Sequence, residues 1–401
     1  MKPFLLGLSL VLGACSAQAQ LVPLWPLPVP DTSADNAFGE AVALGPDRAV
    51  VGAGGVRGCG PASGAVYVYE RRNGAWTLAA VLQPDDCASG RHFGRAVALD
   101  GDRILAVAAG QPYRTEVADA AYVFERGAGG RWHQTARLTA PPDAPTGAFG
   151  AAVALDGPRA VVSTWGDPAR QRPGAAYVFV QQPDGFWKLE ATLTDTLAPG
   201  GPWPGGAVAL DGDVVALAAP SYRYDRSSAV LLFVRQPDGS WRRDTTLAGI
   251  RDFNPALALT GGELLVGERL GGRHSGGRVR HYRRRDGRWT LVATLDPPQP
   301  YPNGGFGAAL AFDGRRALVS GFDEQLGLDF NVDQVVYVFV HTADRWCFWR
   351  RIDPGEKAFG AALSLHGDLA LIGVPREGAP GAAYLIPLNA ARCELKEPVG
   401  K

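Results

Sequence analysis

The chain has 401 residues, 46% of them hydrophobic, and its 40 basic side chains balance 40 acidic ones. That balance excludes the global field that draws a protein to nucleic acid or to an anionic bilayer. Glycine and proline supply 52 and 31 residues, spread along the whole length rather than gathered in a linker. The chain is therefore turn-rich throughout, and long amphipathic helical patterns are absent.

The first predicted element is a targeting segment. Lys2 is followed by the apolar run Phe4–Ala14 and by Ala17–Ala19 ahead of Gln20, the pattern of a signal peptide over residues 1–19. The run is too short for a membrane span. A second reading fits the same residues: "LGAC", Leu12–Cys15, resembles a lipoprotein box, with a signal over 1–14 and lipid on Cys15. Both readings export the protein, as a secreted or periplasmic protein or as an outer-membrane lipoprotein. With Cys15 set aside, Cys59, Cys87, Cys347 and Cys393 remain, an even number in a compartment that permits disulfides. Met1 is the only methionine and arginine far outnumbers lysine, a composition that points to a GC-rich bacterial genome.

A repeat follows. Its first run reads "FGEAVAL" at 38, "FGRAVAL" at 93, "FGAAVAL" at 149, "PGGAVAL" at 204, "FNPALAL" at 253, "FGAALAF" at 306 and "FGAALSL" at 359. The spacings are 55, 56, 55, 49, 53 and 53 residues. A short polar turn, usually Asp-Gly, leads to a second apolar run such as "RAVVGAG". A variable loop then leads to a third such as "GAVYVYER". Six copies add a fourth run that begins at Trp76, Trp132, Trp187, Trp241, Trp289 or Trp346. Four strand-length runs joined by Gly/Asp turns make an antiparallel meander. A four-strand unit repeated about every 50 residues is a propeller blade. The prediction is an all-β, seven-bladed β-propeller of four-stranded antiparallel blades, one domain over residues 20–396 with a tail at 397–401. The seventh copy lacks its Trp strand. The segment Leu21–Asp31, "LVPLWPLPVPD", precedes the first "FG" as the other outer strands precede theirs, so it is expected to complete blade seven and close the ring.

The pattern "FG…VALDGD…VVGAG…GAVYVY" resembles the FG-GAP repeat of the integrin α-subunit N-terminal propeller. It is closer still to bacterial exported FG-GAP proteins, whose copies also carry the "GxW" outer strand. The resemblance covers roughly residues 38–388. It implies a propeller and, in integrin-type blades, a calcium loop between the first two strands. This chain departs from it there. A turn such as Asp100-Gly101-Asp102 is too short to supply the oxygen ligands a calcium ion needs. No cofactor is expected at these turns.

Meander topology puts the tight turns on one face and the long variable loops on the other, where propellers usually carry function. It also places Cys59 with Cys87 on the loop face and Cys347 with Cys393 on the turn face, and so favours those two pairings over the alternatives. Four candidate sites fall on the loop face. Asp329, Asn331 and Asp333 alternate as oxygen ligands for Ca²⁺ but lack the following glycine and a distal carboxylate. Tyr222, Arg223 and Tyr224 suit stacking on a sugar or a peptide. Trp165 either offers a binding aromatic or packs. Blade five is basic, with Arg269 and Arg273 the leading candidates for an anionic glycan or lipid headgroup, and Arg280 and His281 make it wetter than its siblings. No catalytic residues are assigned. The six histidines do not recur at one repeat position, no G-x-S-x-G occurs, and the axial strands are mostly Ala, Gly and Val.

The expected function is a non-catalytic binding module for a protein or surface glycan, working as a monomer through its loop face. It has no nucleic acid partner and no transmembrane span, with a lipid anchor only in the Cys15 reading. The alternatives are a propeller hydrolase or lyase, acting on glycans or phosphoesters at the axis, and a structural cell-envelope protein. Histidine or charged side chains converging on the axis would favour the enzyme.

Overall fold

The computed structural model describes residues 23–110, 119–142, 144, 149–166, 173–194, 205–220, 227–322, 334–342 and 345–389. These form seven four-stranded antiparallel sheets in a ring, a seven-bladed β-propeller. Blade one is typical: Phe38–Leu44 innermost, then Arg48–Ala53, Ala65–Arg72 and Ala75–Leu82 at the rim. In blade seven the chain supplies Ala362–His366, Leu369–Val374 and Ala382–Pro387. Its rim strand is Trp25–Pro26, which pairs antiparallel through Trp25↔Leu385 and Pro26↔Tyr384. No helix among the described residues is long and apolar enough to cross a membrane.

There is no single core. The buried side chains fall into seven clusters, one at each seam between neighbouring blades. Blade one shows how the sequence serves two seams at once. Ala49 and Val51 face blade seven, while the intervening Val50 faces blade two. Both faces of the middle strands are buried, so these runs read as continuously apolar. The rim strands face solvent on one side and alternate instead, as in Trp132–Leu138.

The repeated glycines mark where blades touch backbone to backbone. Gly94 of blade two has φ +102°, and a Cβ on Gly52 of blade one would overlap its carbonyl. The same pairing joins Gly267 to Gly307 and Gly373 to Gly39. In these three seams the "FG" glycine fits against a glycine of the preceding blade and neither site has room for a side chain, whereas Gly150 packs on Val107 and Gly360 on Ser320. The phenylalanine of the motif fills the seam beneath: Phe38 and Phe93 are fully buried, with ring centroids 5.5 Å from Tyr67 and 5.9 Å from Tyr122.

The tight turns are also interlocked. The Asp100 carboxylate accepts the Gly157 N–H of the next blade at 2.8 Å, Asp156 accepts Gly212 at 2.5 Å, and Asp211 accepts Gly262 at 3.2 Å. The arginine that opens the second strand reaches the same way. Arg48 donates to Gly101 O at 3.2 Å, Arg103 to Gly157 O, and Arg316 to Gly367 O at 2.6 Å. The aspartate where integrin-type blades hold calcium thus caps its neighbour's turn.

Candidate functional site

The loop face collects what the repeat does not require. Two repeat positions ring the axis there by topology. One follows each "FG": Glu40, Arg95, Ala151, Gly206, Pro255, Ala308 and Ala361. The other ends each second strand: Gly54, Ala109, Trp165, Pro220, Arg269, Phe322 and Pro375. Five of the seven residues in the first set are Ala, Gly or Pro, as the crowded axis favours; Glu40 and Arg95 stand out.

Glu40 and Arg95 meet over Gly54. The Gly54 N–H donates to Glu40 Oε1 at 2.5 Å, and a Cβ on Gly54 would lie 3.2 Å from Arg95 Cγ. Burial pushes the Glu40 carboxyl up to about 7, against the pull of the Gly54 hydrogen bond and Arg95. His92, one residue before the blade-two "FG", bonds to the Gly54 backbone. Burial and the Arg95 charge lower its pKa. Asp119 is buried and accepts the Gly110 N–H at 3.0 Å. Burial raises its carboxyl, opposed by Gly110, Arg91 and Arg95. Ionisable side chains, one of them histidine, therefore do reach the axial mouth.

A cleft of about 1000 Å³ opens on the same face over blades six, seven and one. Its lining includes Ala37, Ala358 and Pro375 from the axial collar and the charged Asp35, Glu356, Lys357, Arg376 and Glu377. Arg376 pairs with Glu356 at 2.5 Å and donates to Pro380 O at 3.1 Å. Tyr384 donates to Glu356 at 2.7 Å. Asp35 accepts the Gly378 N–H at 2.5 Å. Lys357 and Glu377 are exposed on its wall. Ala37 and Ala358 hold the left-handed region, φ +53° and +58°, a conformation that costs a side-chain-bearing residue free energy.

Of the binding residues singled out from sequence, Trp165, Arg269 and Arg273 are described, the first in blade three and the other two in blade five. Trp165 is half-buried and its ring packs toward Gly206 of blade four. Arg269 is clamped to the buried Asp252, with Nη2–Oδ1 at 3.0 Å and Nε–Oδ2 at 3.1 Å. Arg273 is exposed in a 3-10 turn, Arg273–Ser275. Tyr222, Arg223, Tyr224, Asp329, Asn331, Asp333, Cys15 and Cys393 lie outside the described residues. Among the described residues no three His, Cys, Asp or Glu side chains group as metal ligands. Cys59 and Cys87 are disulfide-bonded, with Cα atoms 6.2 Å apart. Cys347 is also disulfide-bonded.

Blade five requires a correction. His281 is fully buried, not wetter than its siblings. Its Nδ1 accepts the Trp346 Nε1–H of blade six at 3.1 Å, and His341 stacks on Trp346 at 4.5 Å. The basic run is also largely matched from within. Arg278 and Arg280 hold the buried Glu268 at 2.9 and 2.6 Å, and Arg283 holds Glu263 at 2.5 Å. Neither this histidine pair nor the Glu40–Arg95 pair stands out in the linear sequence. For Glu40 and Arg95 the signal is the period, because both follow an "FG" in adjacent copies.

A family model described as the FG-GAP repeat matches residues 27–69, 76–124 and 132–179. The second and third matches start at a rim strand and end in the third strand of the next blade, so that sequence unit straddles two blades. No curated protein matches the chain.

Proposed function

From the premise that the chain is an FG-GAP repeat protein folded as a seven-bladed propeller, we propose that it is an exported binding module. It takes a protein or surface-glycan ligand on the loop face. The observation that carries this reading is the cleft of about 1000 Å³, walled by charged side chains from the loops of three blades. The volume matches that of ligand pockets generally, and its walls stand on a rigid ring. The Cys59–Cys87 bridge supports export, since such bonds persist in oxidising compartments.

A glycan array and a pull-down with the mature protein identify the ligand. The double charge reversal Lys357→Glu with Glu377→Lys then tests the surface. Both side chains are exposed, so the melting temperature is expected to hold while affinity for the captured ligand falls about tenfold or more. Unchanged affinity sinks the assignment of this cleft.

One observation favours a second reading. Glu40, holding its proton to about pH 7 beside His92 and Arg95, has the make-up of an acid-base site at the axis. A hydrolase or lyase acting on glycans or phosphoesters would use it, and turnover lost in Glu40→Gln would mark that chemistry.

A further inference from the structure

We propose that Glu40 and Arg95, meeting over Gly54 at the loop-face mouth of the axis, form a subsite for the carboxylate of a uronate-bearing glycan. This rests on the binding-module reading and names the chemistry of one end of the ligand.

The repeat supplies its own control. Five blades fill the position after "FG" with Ala151, Gly206, Pro255, Ala308 and Ala361, and they fold in the same way. The scaffold therefore does not require a carboxylate and a guanidinium there. Adjacent blades nevertheless place one of each around the same glycine, which lacks the side chain that would fill the space between them. Glu40 is half-buried, with one oxygen taken by the Gly54 N–H. Arg95 is exposed and makes no ion pair within 4.0 Å among the described residues.

The charge count selects the ligand. Among the axial positions the other arginine, Arg269, is matched by Asp252. One open guanidinium at the axial positions suits a single carboxylate set among hydroxyls and gives little to a polyanion. Trp165, half-buried, holds in blade three the position of Gly54 in blade one, an aromatic of the kind on which a pyranose stacks. A protonated Glu40 donates a hydrogen bond to the ligand carboxylate, whereas an ionised Glu40 repels it. Binding is thus strongest below the Glu40 transition at about 7 and weakens above it.

Calorimetric titration of the mature protein with glucuronate tests this, with glucose as the neutral control. At about pH 5.5 glucuronate is expected to bind and glucose to bind at least about tenfold more weakly. At about pH 8.5 wild-type affinity falls about tenfold. Arg95→Gln removes the glucuronate preference at both values, and the exposure of Arg95 lets that variant fold. Glu40→Gln retains binding and loses the pH dependence. The proposal is overturned by equal binding of glucose, by an Arg95→Gln variant with wild-type affinity, by no glucuronate binding at the lower pH, or by an oligoglutamate peptide that binds more tightly than glucuronate. A ligand captured on the array whose affinity ignores Arg95→Gln leaves the binding module standing and removes this subsite alone.

Discussion

The two faces of the disc differ in how the repeat treats them. On the turn face, copies are alike and five of the seven reach for the next. Asp100, Asp156 and Asp211 cap the following turn, and Arg48, Arg103 and Arg316 bind its glycine carbonyl. On the loop face, equivalent positions diverge: Glu40 beside Arg95, His92 where blade one has Ala37, Trp165 where it has Gly54. Repetition marks what the ring needs in order to hold together. Departure from repetition marks what the ring does not need, and so where recognition can be built.

The largest expected effect should therefore come from the turn face and leave recognition alone. Arg316 is buried and spans from blade six to Gly367 and Asp368 of blade seven. Arg316→Ala removes its bonds to Gly367 and Asp368 and the packing of its buried stem, and is expected to cost about 3 kcal/mol in urea unfolding. Ligand affinity should stay at the wild-type value. A variant of wild-type stability, or one that folds yet has lost binding, breaks the division between the faces.

The seam between blades five and six sharpens the comparison, because there a departure from the repeat lies inside the structure. His281 stands where blade one has Val68. Burial lowers its pKa from 6.5 to about 4; Glu263 opposes this shift, and His341 and Arg283 add to it. Between those values the unfolded chain binds a proton that the native one refuses. Stability therefore rises with pH through that window, by up to about 3 kcal/mol, and is complete above it. His281→Val should flatten the profile, as read by denaturation midpoints across pH. A variant that keeps the wild-type slope would mean another group carries it.

The smallest effect belongs to the collar. Ala358 holds φ +58°, so Ala358→Gly is expected to raise stability by about 1 kcal/mol, offset in part by the added freedom of glycine in the unfolded chain. A loss of stability by the same assay would show that the methyl group packs more favourably than the backbone is strained.

Much of the ring is legible in the amino-acid sequence. Apolar runs of strand length, Asp-Gly turns and a regular period require stacked meanders, since one blade has no second layer against which to bury its faces. Trp25 lies ahead of the first "FG" as Trp76 lies ahead of the second, and that spacing points to the strand beside Leu385. The site is less legible for a physical reason. A strand pattern reports which face a side chain takes but not which blade it meets. His281 reads as hydrated because its neighbours in sequence are arginines, while its neighbours in space are Trp346, Phe312 and His341. Glu40 and Arg95 read as ordinary variation because the glycine that brings them together adds no side chain of its own.

The pairing of Trp25 with Leu385 has a consequence for how the molecule assembles. Every other sheet is a local meander that can form as soon as its residues are available, whereas this one joins the two ends of the described chain. In a random coil, bringing such distant residues together costs about 5 kcal/mol of loop entropy. Once the blades have stacked in order, the curvature of the stack has already brought those ends side by side. The two-residue strand is then expected to act as a latch on a nearly finished ring, the last contact to form and the first to open.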